Sequence, residues 1–310
     1  MEINKCKVVV TGGGGFIGQN LVKSLLKKGM QVYVIDNFMY GVRDVISKEC
    51  FLIEGDVRDV NIYKKLPFDI DYIFHFGAPS SIILFNKYPK ECIDITIRGF
   101  MNILNWALDK RVKKIIYPSS GSVYGLCTPP QSELSTPHPV NIYGKTKMVC
   151  ESIASVYSKW LKIIGLRIFA GYGPGEEQKK DFASVVTLFL ESILQNRQPV
   201  IYGDGSQRRD FVYIKDIINA IIKITESDIN ETIVNVGSGK SYSFNEIIDI
   251  INNLLNKDVK PIYIDKPVDY LENTLANIDK FKRITGIEPL TLEEGIREYL
   301  VARKIIKSIN

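Results

Sequence analysis

The sequence predicts a doubly wound α/β fold, in which a mostly parallel sheet carries helices on both faces. Over the first 170 residues, short apolar runs rich in β-branched and aromatic side chains alternate with longer amphipathic segments. This alternation is typical of buried parallel strands that are connected by helices. A run of four glycines follows the first apolar run, and after residue 171 the alternation becomes irregular. We therefore expect one regular α/β domain and a smaller, less regular α/β domain after it.

The predicted strands of the first domain are apolar runs that are too short for most helices. They lie at residues 8–10, 32–35, 51–53, 72–74, 115–117 and 163–168, and amphipathic helical patterns lie at 16–28, 89–108 and 140–162. Strand–helix alternation at this spacing predicts right-handed βαβ units. In such a sheet, ligands bind at the carboxyl ends of the strands, so the residues that follow each strand are the candidates for function.

The second half of the 310-residue chain begins with the loop Gly-Tyr-Gly-Pro-Gly at residues 171–175, since glycine and proline interrupt both regular structures. Helical patterns follow at 182–196, 214–225, 244–255 and 292–302. We assign residues 1–170 to the regular domain, with a return to it near residues 211–236. Residues 171–310 form mainly the smaller domain, which we expect to face the ligand edge of the sheet.

Composition and charge argue against several classes of protein. The net charge of +5 is modest, and the lysine runs at residues 27–28, 113–114 and 179–180 are interpreted as solvated surface, not as a nucleic-acid patch. No segment approaches the roughly 20 apolar residues that span a bilayer. Five cysteines without a CxxC spacing indicate reduced thiols and a cytoplasmic protein, and two histidines argue against a histidine-rich metal site.

The glycine run at residues 12–15 follows a predicted strand and opens a predicted helix. It satisfies both the GxGxxG spacing, starting at Gly13, and the GxxGxxG spacing, starting at Gly12; both include Gly15 and Gly18. Glycines permit a tight turn and let backbone amides approach a pyrophosphate, whose charge the helix N-terminus stabilises. The context therefore predicts a dinucleotide site. Its predicted cofactor contacts are Gly12, Gly15, Phe16, Ile17 and Gly18.

A carboxylate indicates which dinucleotide binds. Asp36 ends the second predicted strand, about 20 residues after the glycine run, where it can accept hydrogen bonds from the adenosine ribose hydroxyls. The same charge repels a 2′-phosphate, so NAD is favoured over NADP, and Arg43 is the residue that could reverse this preference. Asp56 and Val57 follow the third strand, and Asp56 either caps its loop or contacts the cofactor near the adenine.

Three further residues form a candidate catalytic group. Tyr143 and Lys147 are a YxxxK pair near the start of the helix predicted at 140–162. Residues four apart lie on one helical face, so the ammonium can stabilise tyrosinate by lowering a phenol pKa that is otherwise about 10. The same lysine can reach the nicotinamide ribose. Ser120 follows the fifth strand, where its hydroxyl can hydrogen-bond the substrate oxygen as Tyr143 takes or returns a proton.

The order of these motifs resembles the extended short-chain dehydrogenase/reductases, in particular the NAD-dependent epimerase/dehydratase family. The similarity includes SSGSVYG at residues 119–125, YGKTK at 143–147 and RRDF at 208–211, and it extends over nearly the whole chain. The resemblance implies a Rossmann domain, NAD as the cofactor and a nucleotide-diphosphate sugar as the substrate. A smaller substrate-binding domain is also expected from it.

The resemblance implies a role for each candidate residue. Tyr143 would be the acid/base, Lys147 would hold both this tyrosine and the nicotinamide ribose, and Ser120 would bind the reacting hydroxyl. Arg209 would pair with the diphosphate of the substrate, which is a charge-assisted contact. Asn37 would belong to the cofactor site.

Within this family, the residues favour an enzyme that resembles UDP-glucose 4-epimerase. Dehydratases and decarboxylases usually carry a carboxylate where this chain has Gly121 and Ser122, which argues against both reactions. A preference for NAD favours epimerisation through a 4-keto intermediate. The alternatives that stay open are an NAD(P)-dependent 4-dehydrogenase or 4-ketoreductase, and a non-catalytic NAD-binding regulatory protein. The resemblance also implies a homodimer that packs through the predicted helices at 89–108 and 140–162.

Several positions depart from the family pattern. Thr96 and Ala170 stand where asparagines are frequent. The segment Asp-Tyr-Leu-Glu at residues 269–272 occupies a region in which many epimerases carry a second diphosphate arginine. Ser80 and Ser81, after the fourth strand, either contact the sugar or cap the next segment. These departures bear on the identity of the nucleotide base and of the sugar.

Overall fold

The computed structural model describes residues 6–229, 231–266 and 271–307. Its strands are β1 (Lys7–Thr11), β2 (Gln31–Asp36), β3 (Phe51–Glu54), β4 (Tyr72–His75), β5 (Lys114–Ser120), β6 (Ile163–Ile168), β7 (Ala170–Tyr172), β8 (Val200–Tyr202), β9 (Arg208–Tyr213), β10 (Ile233–Val236), β11 (Ser241–Ser243) and β12 (Ile262–Ile264). Its α-helices are α1 (Phe16–Lys27), α2 (Ile82–Lys87), α3 (Pro89–Lys110), α4 (Ile142–Tyr157), α5 (Val185–Leu194), α6 (Ile214–Glu226), α7 (Phe244–Leu255), α8 (Asp279–Thr285) and α9 (Leu292–Ala302). Short 3-10 helices lie at Arg43–Val45, Val60–Lys65, Gly121–Val123 and Glu177–Phe182.

Seven strands form one parallel sheet in the order β10-β6-β5-β4-β1-β2-β3. The first strand, β1, pairs with β2 on one side and with β4 on the other, so the strand order reverses between β1 and β4. A crevice forms outside the carboxyl ends of the strands at such a reversal, and it is where open α/β sheets bind ligands. The predicted doubly wound parallel sheet is therefore confirmed.

Helices cover both faces of this sheet with apolar side chains. On one face, α1 and α6 pack through residues that include Leu21, Leu25 and Ile221, none of which is exposed. On the other face, α3 packs through Phe100 and Ile103. Full burial of one such side chain contributes roughly 1.5–3 kcal/mol. The first apolar cluster continues into α5, α7 and α9, so the second half of the chain packs on the same core.

The second half of the chain adds two small sheets, β11-β9-β7 and β12-β8. Asp210 on β9 is fully buried and accepts hydrogen bonds from the N–H groups of Ser238, Gly239 and Ala276, at 2.7, 3.0 and 3.0 Å. This carboxylate therefore ties β9 to the segment after β10 and to the segment before α8. The strand β10 belongs to the central sheet, whereas the division of the chain into two domains stays a prediction.

Some helices differ from the sequence pattern. The pattern at 140–162 predicts a longer helix than α4, which begins at Ile142 and ends at Tyr157. Asn141 caps its N-terminus, since the Asn141 side chain accepts a hydrogen bond from the Gly144 N–H at 2.8 Å. The helices α2 and α8 are missing from the prediction because six or seven residues do not establish a helical period. Within the described ranges, no helix combines the length and the apolar character that crossing a membrane requires.

Candidate active site

A cavity of about 1730 Å³ runs along the ligand edge of the central sheet and continues against the second half of the chain. Every residue that the sequence predicts for the cofactor, for catalysis or for the substrate lines this cavity. They are Gly12, Gly15, Phe16, Ile17, Gly18, Asp36, Asn37, Asp56, Val57, Ser80, Ser81, Ser120, Tyr143, Lys147 and Arg209. The fold thus brings together side chains from both halves of the sequence.

The glycine loop connects β1 to α1 in the wall of this cavity. Gly12 has a φ of +73°, and a Cβ atom there would lie 2.4 Å from the Phe76 carbonyl oxygen. A Cβ atom on Gly18 would lie 2.0 Å from the Gly12 carbonyl oxygen, so the loop and the helix pack at a distance that admits only glycine. Gly18 belongs to both spacings, whereas Gly12 belongs only to GxxGxxG, so the positive φ of Gly12 favours that spacing of the motif.

The N-terminus of α1 is suited to a pyrophosphate. The helix begins at Phe16 after the N-cap Gly15, and its first turn carries no acidic side chain. The N–H groups of the first turn have no partner within the helix and lie at the positive end of its dipole. Asp36 at the carboxyl end of β2 lines the same cavity. These residues fit the dinucleotide that the motif predicts.

Asp36 joins the glycine loop to the end of β2. Its carboxylate is buried and accepts hydrogen bonds from the N–H groups of Gly14 and Phe38, both at 2.8 Å. Burial raises the pKa of this carboxyl, and the backbone hydrogen bonds oppose the increase. Arg43, the residue that could favour NADP, forms an ion pair with Glu54.

Asp56 and Asn37 form a second polar group in the cavity wall. Asp56 accepts hydrogen bonds from the Asn37 amide at 2.9 Å and from the Arg58 guanidinium at 2.7 Å, and Arg58 lowers the pKa of Asp56. The Arg58 N–H also donates to Asp56 at 2.8 Å, so Asp56 caps its loop. A contact of Asp56 with the cofactor stays a prediction, as does one of the neighbouring Val57.

Ser120, Tyr143 and Lys147 converge where β5 ends and α4 begins. All three side chains are buried, and the hydroxyls of Ser120 and Tyr143 share a hydrogen bond. Lys147 lies one helical turn after Tyr143, and its Nζ donates to the Pro118 carbonyl oxygen at 2.9 Å. The Tyr143 ring packs edge-on against Phe85 of α2, with the ring centroids 5.2 Å apart. A pair of hydroxyls and an ammonium group therefore meet at one point of the cavity.

The pKa of Tyr143 differs from the expectation that Lys147 lowers it. Burial raises the pKa of the Tyr143 phenol, and the hydrogen bond with Ser120 opposes that increase. Burial also lowers the pKa of the Lys147 ammonium. The Lys147 Nζ lies 5.8 Å from the centroid of the Tyr143 ring, and at this separation burial has the larger effect on both groups.

A buried ion pair that sequence reasoning missed anchors α4 to the sheet. Glu151 lies two turns after Tyr143 and accepts hydrogen bonds from the Arg167 guanidinium of β6, at 2.9 and 2.7 Å. The Ser119 hydroxyl donates to the same carboxylate. The Glu151 and Arg167 side chains are only 10% and 5% exposed. The pair fixes the helix that carries Tyr143 against β6, and Ser119 joins the same carboxylate to β5, the strand that carries Ser120.

Arg209 on β9 lines the part of the cavity that the second half of the chain forms. Its guanidinium donates to the carbonyl oxygens of Leu271 at 2.5 Å and Glu272 at 3.3 Å, and it lies 5.7 Å from the centroid of the Phe244 ring. Of the segment in which a second arginine is expected in relatives, residues 269–270 lie outside the described residues. A contact of Arg209 with a diphosphate stays a prediction.

Ser80 and Ser81 line the cavity immediately before α2. Ser81 occupies the N-cap position of that helix, but its side chain makes no capping hydrogen bond. A contact of either serine with the sugar stays a prediction. The lysines at 179–180, which the sequence predicts to be solvated surface, also line the cavity, and Lys180 is exposed. Lysines in an irregular loop carry no periodic signal that would place them there.

Comparisons with known proteins agree with this geometry. Residues 8–237 match the model of the NAD dependent epimerase/dehydratase family. The chain belongs to this family. The solved UDP-glucose 4-epimerase of Thermotoga maritima, in complex with UDP-glucose, has a TM-score of 0.91 and 28% identity, with 96% of this chain and 99% of that chain covered.

Two further members of the family extend the comparison. The solved UDP-N-acetylglucosamine 4-epimerase of Methanobrevibacter ruminantium M1 has a TM-score of 0.90 and 32% identity, with 96% and 98% of the chains covered. A UDP-N-acetyl-alpha-D-glucosaminuronate decarboxylase of Bacillus cytotoxicus is 29% identical, with 95% of this chain and 96% of the relative covered. These relatives share a UDP-sugar in their names and differ in the reaction, so the reaction of this family member has to be argued from its own residues.

Two departures from the family pattern lie at or near the site. Ala170 lines the cavity just after β6 and offers a methyl group where an amide is frequent. Thr96 is buried in α3, where its hydroxyl donates to the Cys92 carbonyl oxygen at 2.7 Å. The hydroxyl of Thr96 therefore has its hydrogen-bond partner within its own helix. The longer amide side chain of an asparagine at this position would need partners farther from the helix backbone.

Proposed function

We propose that this enzyme epimerises C4 of a nucleotide-diphosphate sugar, as a UDP-glucose 4-epimerase does, through a 4-keto intermediate. The observation that carries the proposal is the convergence of Ser120, Tyr143 and Lys147 in one cavity with the glycine loop and Arg209. NAD, when bound at the glycine loop, supplies an acceptor that takes a hydride and returns it. The UDP-sugars in the names of the relatives support a UDP-sugar as the substrate.

The residues of the chain supply the proton chemistry of this reaction. Tyr143 accepts the proton of the 4-hydroxyl as C4 is oxidised, and it returns the proton after the 4-keto sugar has turned its other face. Ser120 shares a hydrogen bond with Tyr143 and orients the same sugar oxygen. In its ammonium form Lys147 stabilises the phenolate from one helical turn away, and Arg209 pairs with the diphosphate and holds the nucleotide while the sugar turns.

The same site favours epimerisation over elimination of water or loss of carbon dioxide. Gly121 and Ser122 form the 3-10 helix after β5 and offer no carboxylate beside Ser120. Glu151 is a nearby carboxylate, but Arg167 holds both of its oxygens. A nucleotide-sugar 4-dehydrogenase or 4-ketoreductase uses the same three catalytic residues and differs in consuming added cofactor.

Product analysis tests the proposal directly. The purified enzyme is mixed with UDP-, GDP-, dTDP- and CDP-hexoses and with a UDP-hexuronate, without added cofactor, and the products are followed by NMR. We expect a C4 epimer to accumulate catalytically from at least one UDP-sugar. The Tyr143→Phe variant is the control, and we expect it to react about 10²–10⁴-fold more slowly because the acid/base hydroxyl is missing.

Each other outcome assigns a different reaction. Turnover of added NAD⁺ or NADH, with no epimer from any of these substrates, contradicts epimerisation and establishes a dehydrogenase or reductase. Formation of a pentose from the UDP-hexuronate establishes decarboxylation. Binding of NAD without any reaction, and without any effect of Tyr143→Phe, favours a regulatory protein.

A further inference from the structure

The segment at residues 173–184, here called the bridging loop, contacts the wall of the predicted pyrophosphate site. The Asn20 amide donates to the Pro174 carbonyl oxygen at 3.0 Å, and the Gln178 amide donates to the Gly14 carbonyl oxygen at 3.1 Å. Gly14 lies between β1 and α1, so the second contact reaches the glycine loop itself. The bridging loop is therefore hydrogen-bonded to both elements that form the pyrophosphate site.

On its other side, the bridging loop is fixed to α5 through Glu176. This carboxylate is 1% exposed and accepts hydrogen bonds from the Ser184 N–H at 3.0 Å, the Ser184 hydroxyl at 2.8 Å and the Thr187 hydroxyl at 2.6 Å. A buried carboxylate with several donors is held in one position. The Lys179 Nζ donates to this fixed carboxylate at 3.3 Å, so its ammonium group is positioned as well.

Lys179 also reaches the start of α1. Its Nζ lies 4.8 Å from the centroid of the Phe16 ring, and Phe16 is the first residue of that helix. The Lys179 side chain is 24% exposed and lines the cavity, so one side of it is accessible to a ligand. An ammonium group has three donor hydrogens, and a bond to Glu176 uses one of them. The others can bind an anion that lies at the N-terminus of α1.

The negative charge of a dinucleotide is a reason for an ammonium group to lie at the N-terminus of α1. A pyrophosphate bridge carries two negative charges, whereas a helix N-terminus offers the equivalent of about half a positive charge. Five other cationic residues of the described ranges line the cavity, namely Lys145, Lys147, Lys180, Arg197 and Arg209. Of these, Lys147 and Arg209 hydrogen-bond to Pro118 and Leu271 and belong to the candidate catalytic group and to β9. Lys179 is in contact with the first residue of α1, so it is placed to supply the missing charge.

We propose that Lys179 is a cofactor-binding residue, whose ammonium group pairs with the pyrophosphate of bound NAD. Glu176 holds this ammonium in place, and the hydrogen bond between Gln178 and Gly14 keeps the bridging loop against the glycine loop. The proposal rests on NAD binding at the glycine loop and is independent of which sugar is epimerised. It gives a function to a lysine that, by sequence, resembles ordinary surface charge.

Nucleotide titrations test this role without reference to turnover. The affinity of the full, nucleotide-free chain for NAD⁺, and separately for UDP, is measured by isothermal titration calorimetry at low and at high sodium chloride. We expect Lys179→Met to weaken NAD⁺ binding about tenfold at low salt and to reduce its salt dependence, because one charge-assisted contact is lost. UDP affinity should not change, and Lys179→Arg should restore most of the NAD⁺ affinity.

The neighbouring lysine provides a matched control. Lys180→Met removes the same charge from the next cavity-lining residue, and it should leave the NAD⁺ affinity unchanged. Equal weakening by Lys179→Met and Lys180→Met would overturn the proposal, because the effect would then belong to the general field of the loop. Unchanged NAD⁺ affinity in Lys179→Met would overturn it as well, and so would a loss confined to UDP.

Unfolding temperatures separate a binding role from a structural one. If Lys179→Met lowers the unfolding temperature and Lys179→Arg restores neither stability nor NAD⁺ affinity, the lysine is structural and the proposal is rejected. If the wild type epimerises a sugar and Lys179→Met binds NAD⁺ with unchanged affinity, the role of Lys179 is rejected and the proposed function stands. Failure of the wild-type chain to bind NAD⁺ rejects both.

Discussion

At the scale of single residues, two polar groups of the candidate active site are buried where their charged forms are disfavoured. The phenol of Tyr143 and the ammonium of Lys147 are both buried, and burial raises the pKa of the first and lowers that of the second. Both shifts favour the neutral form. The YxxxK spacing predicts that the two side chains share a helical face. It contains no information about burial, which depends on β5, α2 and the cavity wall.

The pH dependence of the reaction follows from Tyr143. In the proposed reaction its phenolate is the base, and this form is populated only above the pKa of the phenol, which burial raises. We therefore expect kcat/KM of the wild-type enzyme to increase with pH between about 6 and about 10, because kcat/KM reports groups of the free enzyme. Initial rates over this range check the prediction, and a profile that falls with pH would exclude Tyr143 as the base.

We expect burial of the Lys147 ammonium group to lower the free energy of unfolding of the ligand-free enzyme. Its pKa is lowered by burial from an ordinary value of 10.5, so at alkaline pH the unfolded chain binds more protons than the folded chain. Under this condition the free energy of unfolding rises with pH up to about 10.5. The Lys147→Met variant lacks this contribution, and we expect it to be inactive yet at least as stable as the wild type at neutral pH.

Thermal unfolding of both nucleotide-free proteins at neutral and alkaline pH measures this difference. The unfolding temperature of the wild type should rise relative to that of Lys147→Met as the pH increases. Only the wild type has a buried ammonium group that becomes neutral at alkaline pH. A variant that is clearly less stable at neutral pH would show that the hydrogen bond of Lys147 to Pro118 outweighs the cost of burial.

At the scale of secondary structure elements, α4 carries two of the candidate catalytic residues, Tyr143 and Lys147, and is held by the ion pair of Glu151 with Arg167. Replacing Glu151 with glutamine leaves the arginine charge buried without its partner, and breaking a pair of this kind costs about 3 kcal/mol. We expect this decrease in the free energy of unfolding for Glu151→Gln, measured by urea denaturation. The pair of Asp258 with Lys260 is highly exposed, so Asp258→Asn should change stability by less than about 0.5 kcal/mol. Similar losses in both variants would contradict the anchoring role of Glu151.

Helices with clear local signals were predictable at this scale. The patterns at 244–255 and 292–302 match α7 and α9, and both helices begin with capping boxes, at Ser243 and Thr291. Apart from Ser184, which caps the N-terminus of α5, the bridging loop has no helical or strand period that a local pattern could report. Its hydrogen bond from Gln178 to Gly14 joins residues 164 positions apart, and such a pairing is set by the tertiary fold.

At the scale of the whole molecule, α3 and α4 present apolar side chains to the outside. Met101 and Leu108 on α3, and Val149 and Val156 on α4, are between 38% and 54% exposed. Each pair is seven residues apart, so each forms a stripe along one face of its helix. Because the two helices are neighbours, the stripes together support the predicted homodimer.

A charged substitution in this face tests the dimer. We expect Val149→Glu to convert a dimer to a monomer in light scattering at micromolar concentration, since a buried unpaired carboxylate opposes association. Ile262→Glu places the same charge on β12, where the side chain is 44% exposed, and should leave the mass unchanged. A monomeric wild type would refute the prediction.

At this scale the predicted sheet is confirmed, and the predicted site residues line one cavity at its edge because parallel strands bring their carboxyl ends together. The roles of these residues stay predictions. The sequence-based prediction did not extend to the anchoring of α4 by Glu151 or to the position of Lys179. In each case the partner lies on another element, and the chemistry of a glutamate or a lysine alone does not reveal which element that is.

The bridging loop also bears on how the proposed epimerase responds to the redox state of the cell. If the bridging loop holds the dinucleotide in place through many turnovers, the oxidant acts as a prosthetic group, not as a second substrate. The balance between the two sugars would then follow their own concentrations. It would be insensitive to the ratio of oxidised to reduced nicotinamide in the cell, so carbohydrate interconversion could continue while the redox poise of metabolism changes.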